Sequence, residues 1–169
     1  MTIREAFAIS YTEMSLISKG LKVTWPGLPP TSACEEIWVI SITDSTLPKL
    51  FQDSEKILTL EFADIDPQNP SFNPPENTEF MKPEQAVKAV DFLERAQASD
   101  KEILLLVNCR HGMCRSGAVM DFAANVYGLG FWDTKKKNPQ SVPNYWVRFL
   151  LFKEYFRRSY HEPYKSPKP

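Results

Sequence analysis

The chain has no excess of one charge, no long apolar segment and few cysteines or histidines. Its 20 basic and 21 acidic side chains give a formal net charge of -1, which argues against a nucleic-acid partner. No stretch approaches the roughly 20 apolar residues of a membrane span, and the first residues, MTIREAFAIS, lack the apolar core of a signal peptide. We therefore expect a cytoplasmic protein with no membrane span and no nucleic-acid partner.

Cysteine usage excludes two further classes of protein. The chain has an odd number of cysteines, and no two of them form a CxxC pair: Cys34, Cys109 and Cys114. This spacing predicts neither a disulfide framework nor a zinc site. We expect reduced thiols with individual roles, and no metal or other cofactor.

Length limits the chain to one domain. A chain of 169 residues is long enough for one substantial core and too short for two comfortable ones. The predicted domain covers residues 1–160, and residues 161–169 form a loose tail that contains several prolines. We expect this domain to be a monomer.

Short runs of branched and aromatic residues alternate with longer amphipathic segments. The runs predict strands at 36–42, 56–62 and 103–107, with a weaker candidate at 6–10. Apolar periodicity and end signals predict helices from Tyr11 to Gly20, from Pro83, from 116 to Gly128, and from near Asn144. This alternation predicts an α/β domain whose central, mainly parallel sheet of about four to five strands is flanked by helices.

The most informative segment is LLLVNCRHGMCRSGAVM at 104–120, where an apolar strand passes through a polar loop into a helix. Ligands of parallel sheets bind where the carboxyl ends of strands meet the amino ends of helices. Gly112 can adopt a positive φ, which lets successive amides of the loop point inward around an anion. The sequence therefore predicts a phosphate-binding loop between strand and helix, formed by Arg110, His111, Gly112, Met113, Cys114 and Arg115.

Reactive side chains lie at both ends of this loop. Cys109 ends the strand, where a helix dipole and a guanidinium favour the thiolate, which is a competent nucleophile. Arg115 can bind two phosphate oxygens through its planar fork, and its charge suits the oxygens of a phosphoryl transition state. The Ser116 hydroxyl can stabilise the sulfur as a leaving group. These roles predict covalent phosphoryl transfer.

Together, Cys109, Gly112, Arg115 and Ser116 reproduce the CxxGxxRS loop of cysteine-dependent protein tyrosine phosphatases. The chain resembles the compact, dual-specificity-type branch of that family over residues 36–158. The runs WVISITD and LTLEFADID are similar to those of small microbial proteins described as predicted tyrosine phosphatases. The resemblance implies metal-free hydrolysis of phosphotyrosine in a protein substrate through a cysteinyl phosphate. If the pocket is shallow, phosphoserine and phosphothreonine are also expected substrates.

The resemblance also implies a carboxylic acid that protonates the leaving oxygen and later activates water. The family carries this acid on a loop after an upstream strand, which here is FADIDPQNP at 62–70. Asp64 is the predicted acid, because it follows the strand end as in the family, and Asp66 is the alternative. The proline-rich stretch at 70–80 separates the acid from the nucleophile by more than is usual. It is either a lid that faces the substrate or a surface excursion.

Two residues depart from the family pattern. Asn108 stands where the family usually has a histidine, and an amide cannot carry positive charge. We therefore expect a Cys109 pKa that is less depressed than is usual for the family. Cys114 gives a C-x4-CRS spacing that resembles low-molecular-weight tyrosine phosphatases, although their loop lies near the N-terminus. Either Cys109 and Cys114 form a reversible disulfide on oxidation, or Cys114 is a small packed thiol.

Several residues have two interpretations. Arg110, His111 and Met113 are expected to face solvent, and the alternative is that Arg110 and His111 attract a second acidic group of the substrate. Asn144, after Pro143, is expected to cap the last helix rather than to contact the loop. Two other functions stay open: a phosphopeptide-binding module that has lost turnover, and a rhodanese-like sulfurtransferase, which also places cysteine in a strand-to-helix loop.

Overall fold

The computed structural model describes residues 3–20, 34–68, 78–129 and 131–161. The proline cluster at 25–30, most of the stretch at 70–80 and the tail beyond residue 161 lie outside the described residues. The strands are β1 Ile3–Ser10, β2 Glu36–Thr43, β3 Ile57–Glu61 and β4 Ile103–Cys109. The helices are α1 Tyr11–Ser18, α2 Pro83–Ala98, α3 Arg115–Val126, α4 Phe131–Lys137 and α5 Tyr145–His161.

The sheet has four strands in the order β1-β4-β2-β3, and every neighbouring pair is parallel. All residues of β4 are buried, as the apolar run at 103–107 predicts for a central strand covered on both faces. The predicted α/β class is therefore confirmed. Because the strands are parallel, their carboxyl ends lie at one edge of the sheet, and this edge contains Ser10, Thr43, Glu61 and Cys109.

Helices cover both faces of the sheet. The larger core lies on one face and joins the sheet to α2, α3 and α5, with Phe62, Phe92 and Phe122 among its fully buried side chains. The smaller core lies under α1 and contains Phe7, Ile9 and Met14. Ring contacts and helix packing thus fix the position of α3 relative to β4. The loop that joins β4 to α3 is therefore anchored at both ends.

Helix ends follow the signals in the sequence. Ser10 caps α1, because its Oγ accepts from the Glu13 amide at 3.3 Å while the Glu13 carboxylate accepts from the Ser10 amide at 2.8 Å. Gly20 follows the end of α1 and Gly128 the end of α3, with φ values of 73° and 71°. Pro83 begins α2 as predicted.

Helix α4 was not predicted from the sequence. Its seven residues are too few to show apolar periodicity, and three of them are consecutive lysines. The residue that follows it, Asn138, is buried and accepts a hydrogen bond at its Oδ1 from the Ala8 amide at 2.7 Å. This contact satisfies the outer edge of β1, so the segment around α4 covers an edge that would otherwise be unpaired. Within the described ranges, no helix is both long and apolar enough to cross a membrane.

Candidate active site

Cys109 is the last residue of β4 and only 2% of its surface is exposed. Its Sγ lies 3.2 Å from the Oγ of Ser116, in the first turn of α3. Burial by itself raises the pKa of this thiol, but the Ser116 hydroxyl, the amides of Ser116 and Met113 and the charge of Arg115 outweigh it. The Cys109 pKa therefore lies below its ordinary value. The site favours the thiolate.

The carbonyl groups of the loop between Cys109 and Arg115 accept hydrogen bonds from other segments. The donors are the Tyr11 amide to Arg110 O at 3.2 Å, Gln140 Nε2 to Gly112 O at 3.4 Å, the Val142 amide to Met113 O at 3.3 Å and the Asn144 amide to Cys114 O at 3.0 Å. The Met113 amide is among the donors that lower the Cys109 pKa, so at least one loop amide is directed towards the sulfur. A loop whose carbonyls bond to other segments and whose amides approach the sulfur can surround an anion there.

Gly112 makes this loop conformation accessible. Its φ is 68°, in the region that other residues avoid. A Cβ at this position would lie 2.6 Å from the carbonyl carbon of Ile9 and 2.7 Å from the Ser10 nitrogen. The loop therefore packs directly on the carboxyl end of β1, and only glycine fits both the angle and the space.

Arg115 begins α3 and is almost fully buried, with 2% of its surface exposed. Its Nη1 donates to the Phe62 carbonyl at 2.6 Å, and both terminal nitrogens lie 3.4 Å from Oδ2 of Asp44. Its Nε is buried and has no hydrogen-bond partner in the described part of the chain. A buried guanidinium N–H is costly to leave unpaired, so this donor is available for an oxygen of a bound ligand.

Asp44 is a site residue that the sequence analysis missed. It follows β2 and contacts two arginines of the loop, because Arg110 Nη2 lies 3.2 Å from its Oδ1 and Arg115 lies at its Oδ2. Burial tends to raise the pKa of Asp44, but hydrogen bonds from Thr46 and the two arginines lower it below its ordinary value. An ionised carboxylate of this kind is a poor proton donor. The available signal was a lone acidic residue directly after an apolar strand.

Asp64 and Asp66, the two candidate acids, are held differently. Asp64 is exposed, and its Oδ1 accepts a hydrogen bond from Nδ2 of Asn144 at 2.8 Å. Asn144 in turn bonds to the loop through its amide, so Asp64 is connected to the residues around Cys109. The Oδ1 of Asp66 instead accepts from the Gln68 amide at 2.9 Å, in a local turn beside Pro67. The structure brings Asp64, and not Asp66, to the loop.

Asn144 has both of the roles between which the sequence left a choice. Its Oδ1 accepts from the Val147 amide at 3.0 Å, which is the capping bond predicted for the start of α5. Its own amide donates to Cys114 O, so it also contacts the loop directly. The expected helix cap is therefore present, and so is the alternative, a direct contact between Asn144 and the loop.

Asn108, the departure from the family pattern, is fully buried and faces the smaller core. Neither polar atom of its side chain has a hydrogen-bond partner among the described residues, and the same is true of the Ser41 hydroxyl. The two residues are paired in register on adjacent strands, which places their side chains on the same face of the sheet. Asn108 therefore does not order the loop through a hydrogen bond to any described residue.

The remaining loop side chains lie at the surface. Met113 and His111 are exposed, as expected. Arg110 is half-buried, because its guanidinium bonds to Asp44 and to Thr46 Oγ1. The charge of Arg110 is thus partly neutralised within the protein, which weakens the interpretation that it attracts a second acidic group.

Cys114 is a half-buried free thiol, as Cys34 and Cys109 are free. Burial, followed by the nearby carboxylate of Asp64, raises the pKa of Cys114 to about 11. The pKa values of two thiols of the same loop are therefore shifted in opposite directions. Cys114 stays protonated under conditions in which Cys109 favours the thiolate. A disulfide between them on oxidation stays a prediction.

An open recess of about 600 Å³ lies beside the loop. Its described lining includes Asp44, Thr46, Glu61, Phe62, Glu79 and Arg110. Because Asp44 contacts Arg115 as well, the recess adjoins the position where a ligand would meet the guanidinium.

The described residues contain no cluster of three or more histidine, cysteine, aspartate or glutamate side chains arranged to hold a metal ion. Comparison of the whole chain with models of known protein families gave no match, and comparison with curated proteins gave none either.

Proposed function

We propose that the protein is a cysteine-dependent phosphatase of the tyrosine phosphatase type, with dual-specificity-like architecture, that hydrolyses phosphate monoesters on proteins. One observation carries the proposal. A buried cysteine with a lowered pKa is followed by a loop in which four of the five carbonyls between Cys109 and Arg115 bond to other segments, and the loop ends at a buried arginine whose Nε has no partner among the described residues. Amide donors and a guanidinium above an ionised sulfur suit a phosphate dianion.

The first step forms a cysteinyl phosphate. The Cys109 thiolate attacks phosphorus as the bond to the leaving oxygen breaks, and Asp64 donates a proton to that oxygen. Arg115 and the loop amides stabilise the charge on the non-transferring oxygens. Asp44 stays ionised and holds Arg115 in place, so it takes no part in proton transfer.

In the second step the cysteinyl phosphate is hydrolysed. The Asp64 carboxylate, now deprotonated, removes a proton from water as the water oxygen attacks phosphorus. The bond between sulfur and phosphorus breaks, and the electron pair returns to Cys109. Ser116, whose Oγ lies 3.2 Å from the sulfur, donates a hydrogen bond to the thiolate that leaves. Phosphate is released and no metal or other cofactor takes part in the proposed cycle.

Phosphotyrosine in a protein is the proposed substrate, and the recess beside Arg110 supports a substrate that extends beyond the phosphorylated side chain. We further propose that the protein works as a monomer in the cytoplasm. A nucleophilic thiol needs a reducing compartment, and the three cysteines are free in the structure.

Hydrolysis of p-nitrophenyl phosphate by the full chain tests the proposal. We expect turnover by the wild type, background rates for Cys109→Ser, a loss of about 10²–10³-fold for Arg115→Lys, and unchanged rates for Cys34→Ser. Cys34 is a matched control because it lies before β2, at the opposite edge of the sheet. Acid-quenched wild type should carry phosphate on Cys109 in mass spectra.

Other outcomes identify the competing functions. Retention of a phosphotyrosine peptide by a wild type without turnover would indicate a binding module. Formation of thiocyanate from thiosulfate and cyanide, without phosphatase activity, would indicate a sulfurtransferase. Either result contradicts the proposed reaction.

A further inference from the structure

We propose that Asn144 is a positioning residue whose side-chain amide holds the acid Asp64 over the loop. This inference rests on the proposed function and extends it, because it assigns a role in proton transfer to a residue of α5's N-terminus. It also assigns the transferred proton to one oxygen of the Asp64 carboxyl group.

Three hydrogen bonds place Asn144 between separate parts of the site. Its Nδ2 donates to Asp64 Oδ1 at 2.8 Å, its backbone amide donates to Cys114 O at 3.0 Å, and its Oδ1 accepts from the Val147 amide at 3.0 Å. The capping bond to Val147 orients the Asn144 amide group, because an amide that accepts through Oδ1 has a defined direction for Nδ2. One side chain thus relates the position of the acid to that of the loop.

Asp64 needs such a contact because its own segment does little to restrain its side chain. The residue is exposed and lies between strand β3 and helix α2, outside regular secondary structure. The backbone on either side is anchored, since the Ala63 amide donates to Glu79 O at 2.7 Å and Ile65 is buried. An exposed carboxylate on this backbone samples several rotamers in water, and a general acid displaced by about 1 Å loses a large part of its effect.

A neutral amide suits both stages of the proposed cycle. Nδ2–H can donate to Oδ1 when the Asp64 carboxyl group is ionised and also when it is protonated on the other oxygen. The bond therefore persists while the proton is lost and regained, and Oδ2 is the oxygen that carries the proton. A lysine at the same position would add a positive charge and favour the ionised form, which opposes the acid step.

The test uses two substitutions that separate helix capping from positioning. Asn144→Ser retains a good N-cap but its shorter side chain cannot reach Asp64, whereas Asn144→Ala loses both contacts. Asn125→Ala is the matched control, because Asn125 is an exposed asparagine that bonds to Asp121 O within α3. Asp64→Asn defines complete loss of the acid.

Hydrolysis rates are compared between p-nitrophenyl phosphate, whose leaving group needs little protonation, and phosphotyrosine, whose phenol has a pKa near 10. For Asn144→Ser we expect kcat to fall about tenfold on phosphotyrosine and less than about threefold on p-nitrophenyl phosphate. A tenfold loss is part of the rate acceleration of about 10²–10⁴-fold that a general acid contributes. Its thermal stability should match that of the wild type. Equal losses on both substrates, or no loss, would overturn the inference.

A second readout requires no turnover. Asp64 contributes to the raised pKa of Cys114, so release of Asp64 should lower that pKa and speed alkylation of Cys114. Iodoacetamide labelling followed by peptide mapping should show this change in Asn144→Ser and in Asp64→Asn, both in a Cys109→Ser background. If Asp64→Asn changes Cys114 reactivity and Asn144→Ser does not, the inference is wrong even if the protein is a phosphatase. A wild type that hydrolyses neither substrate contradicts the proposed function, and the labelling result then decides the position of Asp64 alone.

Discussion

Asp44 Oδ2 lies 3.4 Å from both terminal nitrogens of Arg115, although the two residues are 71 positions apart in the sequence. The same carboxylate reaches Arg110 through its other oxygen at 3.2 Å. Asp44 thus neutralises two cations that the loop brings together, while it leaves the Arg115 Nε without a partner in the described part of the chain. The carboxylate therefore orients the guanidinium through its terminal nitrogens and leaves Nε unoccupied.

Removal of the Asp44 charge should impair the site by displacing Arg115. For Asp44→Asn we expect kcat/KM to fall about tenfold, because the buried guanidinium loses its oriented partner. Unfolding free energy should fall by about 1–3 kcal/mol, since a buried cation is left less well paired. Steady-state kinetics and urea titration measure the two effects. Asp100→Asn is the control, because this exposed aspartate lies before β4, at the opposite end of the strand. Full activity of Asp44→Asn would contradict the assigned role.

Gly112→Ala should be much more harmful than the same change at Gly20. Both glycines have a positive φ, but a Cβ at Gly20 meets nothing within 4 Å, whereas one at Gly112 would lie 2.6 Å from Ile9. The backbone angle alone costs about 1–2 kcal/mol, so we expect that loss for Gly20→Ala. Gly112→Ala should lose at least twice as much, together with phosphatase activity. Urea unfolding gives both values, and equal losses would show that the loop does not pack on β1 as described.

The two candidate acids should differ in their effect on turnover. We expect Asp64→Asn to lower kcat on phosphotyrosine about 10²-fold or more, because the general acid is lost. Asp66→Asn should change kcat less than about threefold, since an asparagine oxygen can still accept from the Gln68 amide of the turn. The reverse order of effects would assign the acid to Asp66.

The two thiols of the loop should react with alkylating reagents over different pH ranges. The pKa of Cys109 lies below its ordinary value, whereas burial and Asp64 raise the pKa of Cys114 to about 11. As pH rises, iodoacetamide should therefore modify Cys109 first and Cys114 only in strongly alkaline solution. Ser116→Ala should shift the Cys109 profile to higher pH, because the hydroxyl that stabilises the thiolate is absent. Peptide mapping by mass spectrometry follows each cysteine separately, and coincident profiles would contradict the described environments.

Acid stability should depend on Glu154 of α5. The Glu154 carboxylate is largely buried and accepts hydrogen bonds from Arg157 and Arg158, which lower its pKa to about 2. Because the folded pKa lies below the unfolded value of about 4.3, the contribution is present above pH ~4 and is lost as pH falls towards ~2.

We expect Glu154→Gln to lose about 1–2 kcal/mol of unfolding free energy near neutral pH and progressively less below pH ~4. The loss is small because Arg157 is exposed, so solvent screens its charge. Urea titrations across this range test the prediction, with Glu84→Gln on α2 as an exposed control. A loss that is independent of pH would show that packing, and not charge, is the cause.

Much of the site could be predicted because it is local in the sequence. Cys109, Gly112, Arg115 and Ser116 belong to one strand-to-helix connection, in which β4 ends at Cys109 and α3 begins at Arg115. Apolar runs predicted β2, β3 and β4, and the start signals at Pro83 and Asn144 predicted two long helices. In each case residues within a few positions of one another determine the backbone conformation, so the pattern can be recognised in the sequence.

Contacts between distant segments could not be predicted in this way. Asp44 approaches Arg115 because β2 pairs with β4, and Asn144 reaches Asp64 because α5 packs against α2 and α3. Nothing in the spacing of these residues specifies the strand order β1-β4-β2-β3. The contact of Asn138 with Ala8 was missed for the same reason, since the two residues meet only after β1 has joined the sheet.

By itself, then, the sequence determined the alternation of strands and helices and the grouping of Cys109, Gly112, Arg115 and Ser116 in one strand-to-helix loop. Hydrophobic period, glycine and proline act over a few residues and need no partner. Tertiary structure alone decided which carboxylate orients Arg115, which carboxylate approaches the loop, and which residue holds it. These contacts form only when the parallel sheet brings the carboxyl ends of its strands to one edge. The order of residues along the chain does not show which side chains will then be in contact.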